Sequence, residues 1–260
     1  MTQPTSHDDP RTTAVILAAG KGTRMGSDLP KVLHEVAGRP MVHWVVDACR
    51  AAGVGRIILV IGHRGDLVRA SFEGGEDIAF VEQTEQLGTG HAVEVCRDTL
   101  SSIGGDAFVL AGDGPLIRTS TLQSMLRTHR GAHAAATLAT AVIDDPTGYG
   151  RIVRDASGRF DSIVEQKNAS PEQAAIREVY PSYACFDVPA LLDTLTDLPR
   201  DPVGGEYYLT EVPAMMRRSG RCVELLAEVP AEDILSINTP DQLAEVDTVL
   251  RGRLQMEAAT

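Results

Sequence analysis

Positive charge is in short supply: 24 Lys and Arg stand against 36 Asp and Glu, a formal net charge of -12. A chain of that sign offers no broad positive field, which excludes counterion release from duplex nucleic acid as a general source of affinity. Any anionic ligand must be met by a few local cations. Long apolar runs are also missing. No stretch approaches the ~20 residues of a membrane span, and the opening MTQPTSHDDPRT lacks the apolar centre of a signal peptide. The expected location is the cytoplasm, with neither nucleic acid nor membrane as a partner. Cysteine is sparse, and Cys49, Cys96, Cys185 and Cys222 occur singly, without a CxxC pair or zinc-ligand Cys/His spacing. They are expected to be small buried hydrophobes in a reducing compartment. Internal repeats and blocks of like charge are absent from the sequence too.

What the chain does have is apolar material, 43% of 260 residues, enough for a substantial core. Residues 1–11 carry two prolines and no hydrophobic period, which predicts a loose arm with the fold beginning at Thr12. From there β-rich runs alternate with helical patterns. TAVILAAG precedes PMVHWVVDACRAAG, RIILVIG precedes GDLVRASFEG, IAFVEQ precedes TGHAVEVCRDTL, and DAFVLAGD precedes STLQSMLRTHR. Such a series predicts an α/β fold, a parallel sheet with helices on both faces. After Ala132 the pattern is mixed, with strands expected in HAAATLATAV, YGRIVRD, FDSIVEQ, VYPSYACF and CVELLAEV. Helices are expected over 188–198 and 207–219 and from near Thr239. Extra strands that continue or flank the first sheet would put a ligand cleft where the two halves meet.

The sharpest feature is LAAGKGTRMGSDLPKVL, residues 17–33, directly after the first apolar strand. Glycines at 20, 22 and 26 allow tight turning and bring backbone N–H groups close to a ligand, while Lys21, Arg24 and Lys31 add local cations. In an acidic protein this combination points to a polyphosphate; glycines alone would suggest only a surface turn. It is not a Walker A loop, because Met25 and Gly26 stand where GK is required. Nor is it a dinucleotide fingerprint: the third glycine position is Met25, and the second strand runs into His63 rather than an acid.

With LAAGKGTRM, LPKVLH, EQLGTGHA, GDGPL, DDPTGYGRI, IVEQKNA, GEYYLT and SIN in order between Thr13 and Leu243, the chain resembles the sugar nucleotidyltransferases. Within them it is closest to the uridyltransferase domain of bifunctional N-acetylglucosamine-1-phosphate uridyltransferases. The resemblance implies a Rossmann-like α/β nucleotidyltransferase fold, a mostly parallel mixed sheet with helices on both faces. It implies a single domain over 12–260, with a nucleotide half (12–131), a sugar half (132–238) and a C-terminal helix (239–260). The implied reaction is Mg2+-dependent transfer of a nucleotidyl group, UMP from UTP, to N-acetylglucosamine 1-phosphate or another hexose 1-phosphate, with release of pyrophosphate.

By position, the resemblance implies that Leu17, Ala18, Ala19, Gly20, Gly22 and Thr23 surround the nucleotide. Arg24 and Lys31 would neutralise the phosphates as the catalytic cations. Gln83, Gly88 and Thr89 would hold the uracil and ribose, and an amide can offer one donor and one acceptor to a pyrimidine. Asp113, at the end of an apolar strand, is the first choice for magnesium, with Asn238 as second ligand; alternatively Asn238 is a helix N-cap before TPDQLAEV. Gly150 and Glu165 match sugar-contacting positions, and Tyr180 occupies a third. A sugar phosphate with its second pKa near ~6 is already ionised at neutral pH, so no deprotonating base is needed.

The chain departs from the family where ExNTG is usual: it reads Glu178, Val179, Tyr180, Pro181, Ser182. Ala111 replaces an aromatic residue and Gly114 a valine. No hexapeptide repeats follow the uridyltransferase-like part, so an acetyltransferase β-helix is not expected in this sequence. Two other readings remain open at this stage, transfer to a non-sugar acceptor and a nucleotide-binding protein impaired in turnover.

Overall fold

The computed structural model describes residues 9–72, 75, 77–202, 204–227 and 229–259. In chain order the elements are β1 (Asp9–Ala18), β2 (Glu35–Val36), β3 (Arg39–Pro40), α1 (Met41–Ala51), β4 (Val54–Ile61), α2 (Gly65–Ala70) and β5 (Ile78–Glu82). Next come α3 (Thr89–Glu94), α4 (Arg97–Ile103), β6 (Asp106–Ala111), α5 (Thr119–Gly131), β7 (Ala136–Ala139), β8 (Ala141–Val142), β9 (Gly150–Arg154) and β10 (Phe160–Val164). The chain continues through α6 (Pro171–Ala174), β11 (Glu178–Tyr180), β12 (Tyr183–Asp187), α7 (Val188–Thr196), α8 (Val212–Arg218), β13 (Val223–Leu226) and α9 (Pro240–Ala258). Short 3-10 turns at Thr23–Met25 and Lys31–Leu33 punctuate the loop after β1.

Seven strands form the main sheet in the order β13-β7-β12-β6-β1-β4-β5, parallel throughout except for β12. This is the mostly parallel mixed α/β sheet expected from the sequence. Register places Ile16 beside Leu59 on one side and Leu110 on the other. Alternation then divides the core. Ala14, Ile16, Ile57, Leu59, Phe108 and Leu110 pack with Val42, Val45 and Val46 of α1 and Val246 and Leu250 of α9. Val15, Ile58, Val60 and Val109 face the other way, onto Val93, Leu100, Leu191 and Met216 from α3, α4, α7 and α8. Burial on both faces explains why these strands read as unbroken apolar runs.

Several elements differ from the sequence expectation. β1 begins at Asp9, ahead of Thr12, and residues 1–8 of the expected arm lie outside the described residues. HAAATLATAV and VYPSYACF each divide between two sheets. β7 and β12 join the main sheet, whereas β8 and β11 belong to a four-stranded sheet ordered β10-β9-β11-β8. Propensity alone does not reveal such corners; in VYPSYACF the break falls at Pro181–Ser182, where Ser182 adopts φ +65°. TGHAVEVCRDTL forms two helices, and the expected 207–219 helix begins with an extended segment and a 3-10 turn at Leu209–Glu211 before α8. Cys222 is exposed rather than buried; the other three cysteines are buried as expected. Burial pushes the Cys49 and Cys96 thiols up to about 12. Among the described residues no helix is long and apolar enough to cross a membrane.

Candidate active site

The chain runs outward from β1 to β4 and β5, then returns to β6 on the other side of β1, so the strand order reverses between β1 and β6. The carboxyl edge at such a switch point is where open α/β sheets hold ligands. A cavity of about 450 Å³ opens there, bounded on its far side by the small sheet. It gathers Leu17, Ala18, Ala19, Gly20, Arg24, Lys31, Gln83, Gly88, Thr89, Asp113, Gly150, Glu165, Tyr180 and Asn238 from segments far apart in sequence.

Gly22 and Thr23 do not line it. Gly22 has φ +62°, and a Cβ there would lie 2.6 Å from Lys31 Cβ. Its role is therefore to let the loop turn back against Lys31, which places that lysine in the cavity wall. Gly20 is different, since a Cβ there would meet no protein atom within 4 Å. The space above Gly20 is open to a ligand.

At one end Arg24, Lys31, Asp113 and Asn238 form a cluster. The Lys31 ammonium donates to Asp113 Oδ2 and, at 2.9 Å, to Asn238 Oδ1, which also accepts from Arg24 Nη2 at 2.9 Å. Backbone bonds fix the positions: Gly112 N–H donates to Leu17 O at 3.0 Å, and Ile237 N–H donates to Asp113 O at 3.0 Å. The N-cap of α9 is Thr239, whose side chain accepts from Gln242 N–H; Asn238 is therefore free to point at the two cations. Among the described residues there is no cluster of three or more His, Cys, Asp or Glu side chains suited to a metal. A metal ion held here would need ligand or water oxygens to complete its shell beside Asp113 and Asn238.

At the opposite end Gln83 is 4% exposed. Its amide nitrogen donates to Gly88 O at 3.0 Å and lies 3.0 Å from His91 Nδ1. Gly88 takes φ +104°, and a Cβ on it would sit 2.5 Å from Tyr207 O, so only glycine fits. The QLGTG loop is braced by the GEYYLT segment: Tyr207 N–H donates to Leu87 O, Gly90 N–H to Tyr207 O, and Leu209 N–H to Thr89 Oγ1. That accounts for the two conspicuous motifs as halves of one wall.

The third side comes from the small sheet. Tyr180 pairs with Gly150 across β11 and β9, and Glu165 accepts from Thr210 Oγ1 at 2.9 Å. Tyr180 is 5% exposed; burial and then the nearby Glu165 carboxylate push its phenol above the ordinary range, so it stays a donor. Arg151 is 1% exposed and donates to the carbonyls of Tyr149 and Ala174 and to Gln166 Oε1, tying down the loop that carries Gly150. Sequence reasoning missed Gln86, Tyr149, Ser182, Glu206, Thr210 and Ser236, which also line the cavity. Tyr149, Glu206 and Thr210 fall inside motifs already noticed, and that was the available signal. Gln86 and Ser236 had the same signal, as members of EQLGTGHA and SIN, and Ser182 stands in the segment that departs from ExNTG.

The chain matches the description "MobA-like NTP transferase domain" over residues 14–199. It is similar to proteins named "Bifunctional protein GlmU": 43% identical over 244 residues to that of Pelobacter propionicus, covering 94% of this chain and 53% of the relative. With the one from Geobacter metallireducens it shares 45% identity over 245 residues, 94% of this chain and 51% of the relative. With that of Heliobacterium modesticaldum the figure is 47% over 243 residues, 94% of this chain and 53% of the relative. The chain thus spans about half the length of the curated relatives it matches. A sheet with its reversal at β1/β6, a glycine loop carrying two cations into one cavity, and a family match that covers most of the sheet lead to one assignment: the chain belongs to the MobA-like NTP transferase domain family and is a nucleotidyltransferase.

Proposed function

We propose that the chain transfers a uridylyl group from UTP to a sugar 1-phosphate, releasing pyrophosphate, with Mg2+ as cofactor. The observation that carries this reading is the pairing, within one cavity, of the Arg24–Lys31–Asp113–Asn238 cluster with the buried amide of Gln83 at the far end. A triphosphate would lie with its phosphates over Gly20 toward Arg24 and Lys31, and its base toward Gln83.

In the reaction, an ionised oxygen of the sugar phosphate attacks the α-phosphorus. The bond from that phosphorus to the bridging oxygen breaks, and the electron pair leaves with pyrophosphate. Arg24 and Lys31 neutralise charge on the departing group, and being positioned beforehand they do so without reorganisation at the moment of reaction. Asp113 and Asn238 fit Mg2+ by chemistry, since both offer hard oxygens and both already converge on one ammonium. When bound, the ion would shield the triphosphate oxygens.

The orientation of Gln83 supports uracil over cytosine. Gly88 O can only accept, so the amide nitrogen must face it, which leaves Oε1 as the acceptor for a ligand. Uracil presents an N3–H donor; cytosine presents an unprotonated N3. Gly150, Glu165 and Tyr180 would form the sugar side, with the carboxylate accepting from hydroxyls.

The test is pyrophosphate release over a panel of UTP, CTP, ATP and GTP against glucose 1-phosphate and N-acetylglucosamine 1-phosphate. UTP with a sugar 1-phosphate is expected to lead, to require a divalent cation, and to fall by orders of magnitude in Asp113→Ala with the fold retained. Single Lys31→Ala and Arg24→Ala variants should each lose ~10²-fold. Near-normal turnover with both cations removed would overturn the assignment.

A further inference from the structure

Resting on the uridylyl reading, we infer that His91 is a positioning residue for base selection, acting through Gln83. The Gln83 amide has two anchors, and both are acceptors. Gly88 O accepts at 3.0 Å, and His91 Nδ1 lies 3.0 Å from the same amide nitrogen. Since that nitrogen carries two protons and no lone pair to share, His91 Nδ1 must accept, and the ring's proton sits on Nε2. Both amide hydrogens are then used by protein. Among the described residues Gln83 Oε1 has no hydrogen-bond partner, although Gln83 is 4% exposed and lines the cavity. An acceptor is thus the one group this side chain presents to a base.

Either anchor alone would leave one amide hydrogen free. With only Gly88 O in place, rotation about the last side-chain torsion turns the second N–H toward the cavity, where it can pair with the unprotonated N3 of cytosine. His91 removes that option. Its place is fixed by α3, whose first turn is held against Tyr207 and Leu209 by the Gly90 and Thr89 bonds. Sequence distance also suits the task, since Gln83 and His91 bracket the glycine loop that the base would rest on.

The experiment compares His91→Leu, which removes the acceptor at similar bulk, with His91→Asn, whose side-chain oxygen stands near the position of Nδ1. The readout is the ratio of kcat/KM for UTP to that for CTP, with thermal unfolding as the control for folding. His91→Leu should lower the ratio roughly tenfold, the worth of one hydrogen bond, and His91→Asn should restore most of it. An unchanged ratio in a folded His91→Leu protein overturns the role of His91. A ratio near one in the unaltered protein overturns the uracil reading instead. A second measurement needs neither substrate nor variant: long-range 1H–15N correlation of the histidine rings in the ligand-free protein. It should report the proton of His91 on Nε2, and a proton on Nδ1 would refute the two-anchor arrangement.

Discussion

Asp233 offers the sharpest test of how the fold supports the site. It is completely buried, and its carboxylate accepts from Arg118 Nε at 2.7 Å and from Arg253 Nη2 at 2.5 Å. Arg253 belongs to α9, and Asn238 lies on the segment between Asp233 and that helix, so the ion network ties the start of this segment to α9. Replacing Asp233 by alanine strands two guanidinium groups unequally. The Arg118 side chain is 45% exposed and can return to water, whereas that of Arg253 is only 12% exposed and keeps Glu232 and Leu116 O as partners. Breaking a buried ion network by removing one partner costs about 3 to 5 kcal/mol, and the remaining partners put this case near the lower figure. For a chain of this size, about 3 kcal/mol corresponds to a fall in Tm of roughly 6 to 12 °C. Glu232 is the matched control. It touches both arginines, but its side chain is 51% exposed, so Glu232→Ala should cost under about 1 kcal/mol. Thermal and denaturant unfolding of the two variants decide the matter, with pyrophosphate release measured alongside. A loss below about 1 kcal/mol in Asp233→Ala, or equal losses in both variants, would refute the argument.

Ser182 holds φ +65° at an exposed corner, which costs a non-glycine residue ~1 to 2 kcal/mol, whereas glycine loses ~0.5 to 1 kcal/mol more chain entropy on folding. Ser182→Gly should therefore raise stability by up to about 1 kcal/mol in chemical denaturation, and a clear loss would contradict it. Burial lowers the pKa of His129 below 6.5, against the opposing pull of Asp106, so the folded state binds fewer protons than the unfolded chain as pH falls through 6.5. Stability should then decline on acidification below that point, at up to about 1.4 kcal/mol per pH unit from this one group, and the slope should flatten in His129→Gln. On the acceptor side, Tyr180 and Pro181 offer fewer hydrogen-bonding groups than Asn and Thr, at ~1 to 3 kcal/mol for each substrate group left unpaired. N-acetylglucosamine 1-phosphate should accordingly be no better than glucose 1-phosphate in kcat/KM, with roughly 5- to 150-fold at stake; a strong preference for the N-acetyl sugar would overturn this.

Legibility followed the range over which the physics acts. β1, β4 and β6 could be read directly because burial on both faces leaves an uninterrupted apolar run, and the glycine loop because three cations crowd a glycine-rich turn directly after the first strand. Lys31, Asp113 and Asn238 were each visible singly. Their convergence was not, since it depends on bonds such as that from Ile237 N–H to Asp113 O, across more than a hundred residues. The competing helix-cap role of Asn238 needed Thr239 beside it to be settled. Two strands of the small sheet, β9 and β10, were expected, but its other two escaped sequence reading for another reason: β8 and β11 are short, and each adjoins a strand of the main sheet almost without interruption. A change of partner at Thr140 or at Pro181–Ser182 leaves the local alternation intact.

The chain's departures from its family form a connected physical set. Gly114 stands where valine is usual, and a Cβ there would lie 2.4 Å from the Tyr183 hydroxyl. That hydroxyl donates toward Gly114 O and Asp233 O, at 3.4 and 3.3 Å, joining the end of β6 to the buried ion network. Ala111, in place of an aromatic, donates through its N–H to Ser182 O at 3.3 Å. Ala111, Gly114 and Ser182 therefore meet at one seam, where β6 abuts the β11–β12 corner that carries Tyr180 and Pro181 into the cavity. Gly20, Arg24, Gln83 and Thr89 line the cavity from segments outside this seam. On the proposed reading, in which Tyr180 and Pro181 face the acceptor, restoring Asn at position 180 alone would leave the seam behind it unaltered and should not by itself restore use of the N-acetyl sugar.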